Sequence, residues 1–182
     1  VERLADLLSA ARSGRRGARE RLYETLAPRV AAYLRSQGVD DVAGVTNDVF
    51  VAVFRGFDRF AGTASQFRSW VFTIAHAMAV DERRHRSRRR RAGALVPLTE
   101  VADRPAGDVE EDALGPLGAA EVGRLLAELT ADQRAVLLLR VVADLSVDEA
   151  AAALGKTPGA VRVLQHRAIA ALRRALAAEV TG

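Results

Sequence analysis

The chain has 182 residues, 27 Lys+Arg against 23 Asp+Glu, a formal net charge of +4 and a 49% hydrophobic composition. That size allows one medium domain or two small ones, and the mix of apolar and charged residues argues against global disorder. With no cysteine, and with His76, His85 and His166 in no H-E-x-x-H-like pair, the chain offers no disulfide, no thiolate zinc site and no cysteine nucleophile, so neither a metal nor a cofactor is expected. No apolar run approaches the ~20 residues that span a bilayer and no leader pattern opens the chain, so a soluble cytoplasmic protein without membrane insertion is expected.

Apolar periodicity predicts helices near residues 2–12, 18–37, 41–57 and 66–89, then near 119–129, 131–143, 147–154 and 158–178. Strand signals are nearly absent. Between the two groups, residues 92–118 carry Pro97, Pro105, Pro116 and the acidic run Asp108, Glu110, Glu111 and Asp112, without a sustained apolar period. This stretch reads as a flexible acidic linker. Charge divides the chain in the same way: residues 1–91 are net +8, residues 92–118 net −5 and residues 119–182 net +1. The predicted fold is all-α, with two small helical domains at 1–91 and 119–182. Lys156 is the single lysine beside 26 arginines, a bias that a GC-rich genome explains without a functional cause.

The most basic stretch closes the first domain. From Gln66, a stripe of Phe67, Trp70, Val71, Ile74 and Met78 runs towards Asp81 and ends in seven arginines between Arg83 and Arg91. Such a run repels itself unless phosphates, counterions or carboxylates relieve it. It is either a phosphate-contacting strip, with steep salt dependence, or a solvated start of the linker. Trp70 and Phe72 are candidate walls for stacking on unpaired bases, with core packing as the alternative for each.

In the second domain, Thr130-Ala-Asp-Gln133 and Ser146-Val-Asp-Glu149 fit the capping box, Gly155 fits a left-handed helix stop, and Thr157-Pro158 fits a helix start. They define two short helices around a turn of about three residues. Val147, Ala150, Ala151 and Leu154 form one apolar face; Val161, Leu164, Ala168 and Leu172 form the other. Opposite the latter lie Gly159, Arg162, Val163, His166 and Arg167, with Gln165 on the boundary. A helix with arginines outward suits a major groove, because Arg matches guanine edges and phosphates bidentately; a solvated face of a helical bundle is the plainer alternative.

Residues 124–174 resemble the fourth conserved domain of bacterial sigma factors. The resemblance rests on Leu129, Gln133-Arg134, Leu139-Arg140, Leu145-Ser146, Glu149-Ala150-Ala151, Leu154-Gly155, Gly159-Ala160-Val161 and Arg167-Ala168. It implies recognition of the minus-thirty-five promoter element by Lys156, Thr157, Gly159, Ala160, Arg162, Val163, Gln165, His166 and Arg167, and docking on the polymerase flap. The recognition helix departs from the common Thr-Val-Lys-Ser-Arg-Leu, reading Ala160-Val-Arg-Val-Leu-Gln165, so sequence preference does not carry over.

The first domain resembles the second conserved domain of that family through Phe67-Arg-Ser-Trp70-Val-Phe-Thr-Ile74-Ala75 and Asp81-Glu82-Arg83-Arg84. The implied minus-ten residues are Phe72, His76, Ala77, Arg83, Arg84 and Arg88. His76-Ala77 replaces the usual Arg-Asn, which puts the usual minus-ten contacts in doubt. Val45, Asn47, Asp48 and Phe50 match the helix that docks on the polymerase clamp, with Asn47-Asp48 for the usual Gln-Glu and Ala43-Gly44 for an acidic pair. The order and compactness of the two domains imply the extracytoplasmic-function (ECF) group of alternative sigma factors. Core RNA polymerase, promoter DNA and an anti-sigma factor are the implied partners. A free-standing helix–turn–helix regulator is the alternative. Catalysis is not expected: Ser13-Gly-Arg-Arg-Gly17 lacks the Gly-Lys-Ser/Thr of a phosphate loop, and no Ser/His/Asp set stands out.

Overall fold

The computed structural model describes residues 3–93 and 118–181, and every regular element among them is helical. The elements are α1 (Leu4–Arg12), α2 (Ala18–Ser36), α3 (Val42–Gly56), a single 3₁₀ turn (Phe57–Arg59), α4 (Ala64–Gly93), α5 (Ala119–Ala127), α6 (Ala131–Val141), α7 (Val147–Leu154) and α8 (Pro158–Thr181). The acidic run from Asp108 to Asp112 and the prolines of the predicted linker lie outside the described residues. Among the described residues no helix is long and apolar enough to cross a membrane.

Helices α1 to α4 form a bundle held by aromatic side chains, and all nine aromatics of the chain lie between Tyr23 and Phe72. Phe57 and Phe60 both meet Phe67 edge-on, and Phe60 stacks on Trp70 with ring centroids 5.1 Å apart. Trp70 is therefore a packing residue. It leaves so little room that a Cβ on Gly56 would lie 2.9 Å from its ring. Two arginines of the basic domain also serve the fold. Arg12 donates to the carbonyls of Phe60 and Gly62, and Arg19 pairs with Asp58 while lying over the Phe57 ring.

Helices α5 to α8 contain no aromatic residue and pack through Leu, Val and Ala. Small side chains let short helices cross closely at the angle a helix–turn–helix requires. Both predicted capping boxes are present, at Thr130 with Gln133 and at Ser146 with Glu149. Gly155 stops α7 in the left-handed region at φ 61, where a side chain would be strained.

α4 departs from expectation at both ends. It begins at Ala64 because Thr63 and Gln66 form a further reciprocal cap, with Thr63 N–H donating to Gln66 at 2.8 Å and Gln66 N–H donating to Thr63 at 3.3 Å. It runs on to Gly93, past the predicted end at residue 89 and into the first residues assigned to the linker. Arginine is a good helix former, and cations are favoured at a helix C-terminus. Carboxylates also absorb part of the repulsion, since Arg84 lies 3.6 Å from Asp81 and Arg86 2.8 Å from Asp40.

Candidate nucleic-acid interface

The α6–α7–α8 unit presents its second helix outward. Thr157 caps α8 by accepting from Ala160 N–H at 3.2 Å, and Lys156 in the preceding turn pairs with Asp132 at 2.8 Å. One side of α8 is sealed by fully buried Val161 and Ala168, with Leu164 and Leu172 partly buried alongside. On the other side Thr157, Gly159, Arg162, Val163, His166 and Arg167 are exposed, and Ala160, Gln165 and Lys156 are half-buried. Val163 is 50% exposed, an apolar group on this polar face. A Cβ on Gly159 would meet nothing closer than Thr157 Oγ1 at 4.0 Å, so packing does not demand glycine there. The structure thus gathers the nine predicted minus-thirty-five residues at one end and side of α8 and its leading turn.

The six predicted minus-ten residues do not share a surface. At about 100° per residue, Ser65, Arg68, Phe72, His76 and Arg83 fall in one stripe of α4, whereas Ala77, Arg84 and Arg88 fall in another. The second stripe is exposed. The first is covered. Phe72 has no exposed surface and meets the Tyr33 ring edge-on at 5.8 Å. His76 Nδ1 shares a 2.8 Å hydrogen bond with Tyr33 Oη. Burial pushes the Tyr33 phenol up and His76 down, and Arg83 draws both lower; Asp132 opposes this at His76. Farther along α4, Arg88, Arg89 and Arg91 are exposed and pair with no described residue.

The residues that cover α4 carry no sequence pattern that singles them out as a group. Ser65 Oγ donates to Glu149 of α7, Arg68 lies 3.3 Å from Asp144 in the α6–α7 turn, and Arg134 of α6 donates to the Ser36 carbonyl at 2.8 Å. Burial raises the Glu149 carboxyl, but hydrogen bonds from Ser65 and Ser146, together with Arg68, outweigh it and hold the group below its ordinary range. Ser65 and Glu149 are 84 positions apart in the chain. Only Glu149 has a local signal, as the partner in a capping box.

The predicted polymerase-docking residues lie on α3. Asn47 and Asp48 are exposed and Val45 is half-buried, while Phe50 is buried and packs edge-on against Tyr23 at 4.8 Å. Phe50 therefore floors an open apolar groove of about 470 Å³, whose lining also includes Asn47, Val51 and Phe54. Val51, 47% exposed, is a groove residue that sequence reasoning missed, although it follows Asn47 by one helical turn.

Comparison with known proteins matches the same two units. Residues 22–89 fit the model for sigma-70 region 2, and residues 119–172 fit the model for sigma-70 region 4. The chain is 40% identical over 137 residues to the ECF RNA polymerase sigma factor ShbA of Streptomyces griseus, covering 74% of this chain and 70% of that protein. It is 33% identical over 183 residues to the ECF RNA polymerase sigma factor SigD of Mycobacterium tuberculosis, covering 94% and 83%. Among solved structures, CnrH in complex with the cytosolic domain of CnrY aligns with a TM-score of 0.63 at 28% identity, over 94% of this chain and 96% of that one. The sigma factor RpoE in complex with the anti-sigma factor NepR, from Bartonella quintana, aligns with a TM-score of 0.68 over 86% and 95%; at 23% identity it shows the fold alone.

Proposed function

This chain belongs to the ECF group of sigma-70-family RNA polymerase sigma factors, which direct core polymerase to promoters, and we propose that two separate surfaces of it divide the reading of a promoter. The proposed domains are 1–91 for clamp docking, minus-ten recognition and melting, and 119–182 for minus-thirty-five recognition and flap docking, joined by the acidic 92–118 segment. The observation that carries the upstream half is the outward face of α8. Arg162, Val163, His166 and Arg167 stand exposed together on a helix whose other face is buried. Arginine there suits guanine edges and phosphates, and Val163 suits a thymine methyl. Lys156 and Thr157, at the helix start, suit phosphate contacts that fix register.

The α4 helix supplies the downstream surface. Exposed Arg84 and Arg88 lie on the same side as Ala77, which offers no hydrogen bond where the family's asparagine would. Base discrimination at the minus-ten element therefore falls to His76 and Arg83 on the covered stripe, or to the shape of the strand, and Phe72, fully buried against Tyr33 of the same bundle, backs that stripe. The α3 groove, with Asn47 and Asp48 at its rim and Phe50 beneath, is the proposed clamp contact. An anti-sigma factor is the proposed protein antagonist, by analogy with CnrH, which is solved in complex with the cytosolic domain of CnrY.

The test is run-off transcription from a promoter library with purified core polymerase, with and without this chain. The expected result is chain-dependent transcripts that share two spaced upstream elements. Tight binding to duplex DNA alone, with no polymerase-dependent transcript, would instead indicate a free-standing regulator.

A further inference from the structure

The segment ahead of the region 2 match, which begins at residue 22, contains α1 and the first residues of α2. Two of its arginines, Arg12 and Arg19, converge on the turn of residues 57–63 that joins α3 to α4. Arg19 holds the start of that turn. Its Nη2 lies 2.7 Å from Asp58 Oδ1, and its guanidinium lies over the Phe57 ring at 5.0 Å. Arg12 holds the end. Its Nη2 donates to the carbonyls of Phe60 at 3.2 Å and Gly62 at 2.6 Å, with the guanidinium over the Phe60 ring at 5.5 Å. Each arginine thus joins a polar contact to a ring contact, a combination that a planar guanidinium satisfies in few arrangements of the turn.

The turn is packed from behind as well. Phe60 lies flat on Trp70 of α4, and Trp70 abuts Gly56 at the end of α3, so Arg12, Phe60, Trp70 and Gly56 form one layered stack. At Gly62 a Cβ would lie 2.6 Å from the Phe60 ring and 2.8 Å from Oε1 of Gln66, the capping partner of Thr63. The path of the turn therefore decides where α3 ends and where α4 begins. Stability alone is a poor reason for the two arginines. The Arg19 and Asp58 side chains are 49% and 81% exposed and Arg12 is exposed too, and such contacts contribute little net free energy where water competes for both partners. At its far end α4 has a separate tie, from Arg86 to Asp40 at 2.8 Å. Arg12 and Arg19 supply the matching tie at the near end.

We infer that Arg12 and Arg19 are positioning residues for promoter opening, which lock the 57–63 turn so that α4 stands at one setting when α3 is seated on polymerase. The inference rests on the reading of α3 as the docking helix and α4 as promoter-facing. The described partners of the two arginines all lie in the turn, and none is a predicted promoter or polymerase residue. They act through the helix they hold. Separating the strands along α4 loads that helix sideways. A turn free to shift lets the near end of α4 move about its far tie, and reacting groups misplaced by even ~1 Å lose much of their effect.

The test compares the full chain with the double variant Arg12→Ala, Arg19→Ala in reconstituted holoenzyme. The variant should melt close to the wild type and bind core polymerase within about twofold of it. Its rate of promoter opening, read from permanganate reactivity of unpaired thymines, should fall about tenfold. The slope of log promoter affinity against log salt should stay the same. A slope lower by about two would make the arginines phosphate contacts and overturn the inference. Opening at the wild-type rate overturns it, and so does a loss of core binding that matches the loss of opening. Gly62→Ala gives a second route, because it displaces Phe60 and leaves both arginines in place. It should slow opening similarly; a wild-type rate there would assign the effect to charge and overturn positioning. Arg83→Ala in the same assay separates the premise from the inference. Slowed opening is expected with the turn intact, and unchanged opening removes α4 as the promoter face whatever the turn variants do.

Discussion

Two helices of this protein carry its candidate reading surfaces, and the fold treats them in opposite ways. α8 buries one side with Val161 and Ala168 and leaves Arg162, Val163, His166 and Arg167 to solvent. α4 buries Phe67, Val71 and Ala75 in its own domain, and a further stripe, with Ser65, Arg68, Phe72 and His76, lies against neighbouring helices. A residue on the α8 face contributes little to the fold and is free to change with the promoter. A residue on the covered α4 stripe serves packing as well as recognition, so its substitution has two consequences that must be measured apart.

Phe72 gives the largest expected contrast. Phe72→Ala removes a fully buried ring and should cost ~3–5 kcal/mol of stability by denaturant unfolding. Val163→Ala, on the open face, should leave stability within about 0.5 kcal/mol while altering the upstream element preferred. Next, Arg162→Ala should weaken promoter binding by holoenzyme by ~1–3 kcal/mol if it reads a base, with an unchanged melting curve. A general loss across all upstream sequences would make Arg162 a phosphate contact. The arginine tail should act through salt alone. Replacing Arg88, Arg89 and Arg91 by Ala, one at a time, should in each case flatten the dependence of log affinity on log salt by about one unit, as one phosphate fewer is neutralised.

Acid should have the smallest effect, confined to the covered face. His76 is held below its ordinary 6.5 by burial first, then by Arg83 and Lys156 against Asp132, with Tyr33 as its hydrogen-bond partner. Glu149 is held below its ordinary 4.5. Both groups take up protons more readily once the protein unfolds. Their contribution to stability is therefore complete above 6.5 and is lost as pH falls below that value towards the folded-state pKa of His76, and again below 4.5 as Glu149 protonates. Stability by denaturant unfolding should fall on acidification, and His76→Ala should remove the first step only. A flat profile in the wild type would show that the fold does not hold His76 neutral.

The elements legible in the sequence are those fixed by local chemistry. The boxes at Thr130 and Ser146, the left-handed Gly155 and the two-sidedness of α8 depend on neighbours within a turn or two, and each is found in the structure. The start of α4 is legible in principle, since Thr63 and Gln66 have capping-box spacing, but the apolar stripe that begins at Phe67 is the stronger signal and points to Gln66. Its end is obscured because a run of arginines looks too repulsive to stay helical, whereas Asp40 and Asp81 relieve part of the charge. The fate of Phe72 and the contact of Glu149 with Ser65 have no local signature. Each depends on which distant helix arrives, and the two sides of the α4–α7 seam are brought together only by the tertiary fold.

The most direct measurement is transcription by reconstituted holoenzyme on a promoter library randomised at both upstream elements, with wild-type chain, Arg162→Ala and Arg83→Ala in parallel. The two-surface account predicts that Arg162→Ala relaxes or weakens dependence on the upstream element alone and that Arg83→Ala impairs use of the downstream element alone. Both substitutions altering the same element, or neither altering any, would contradict it.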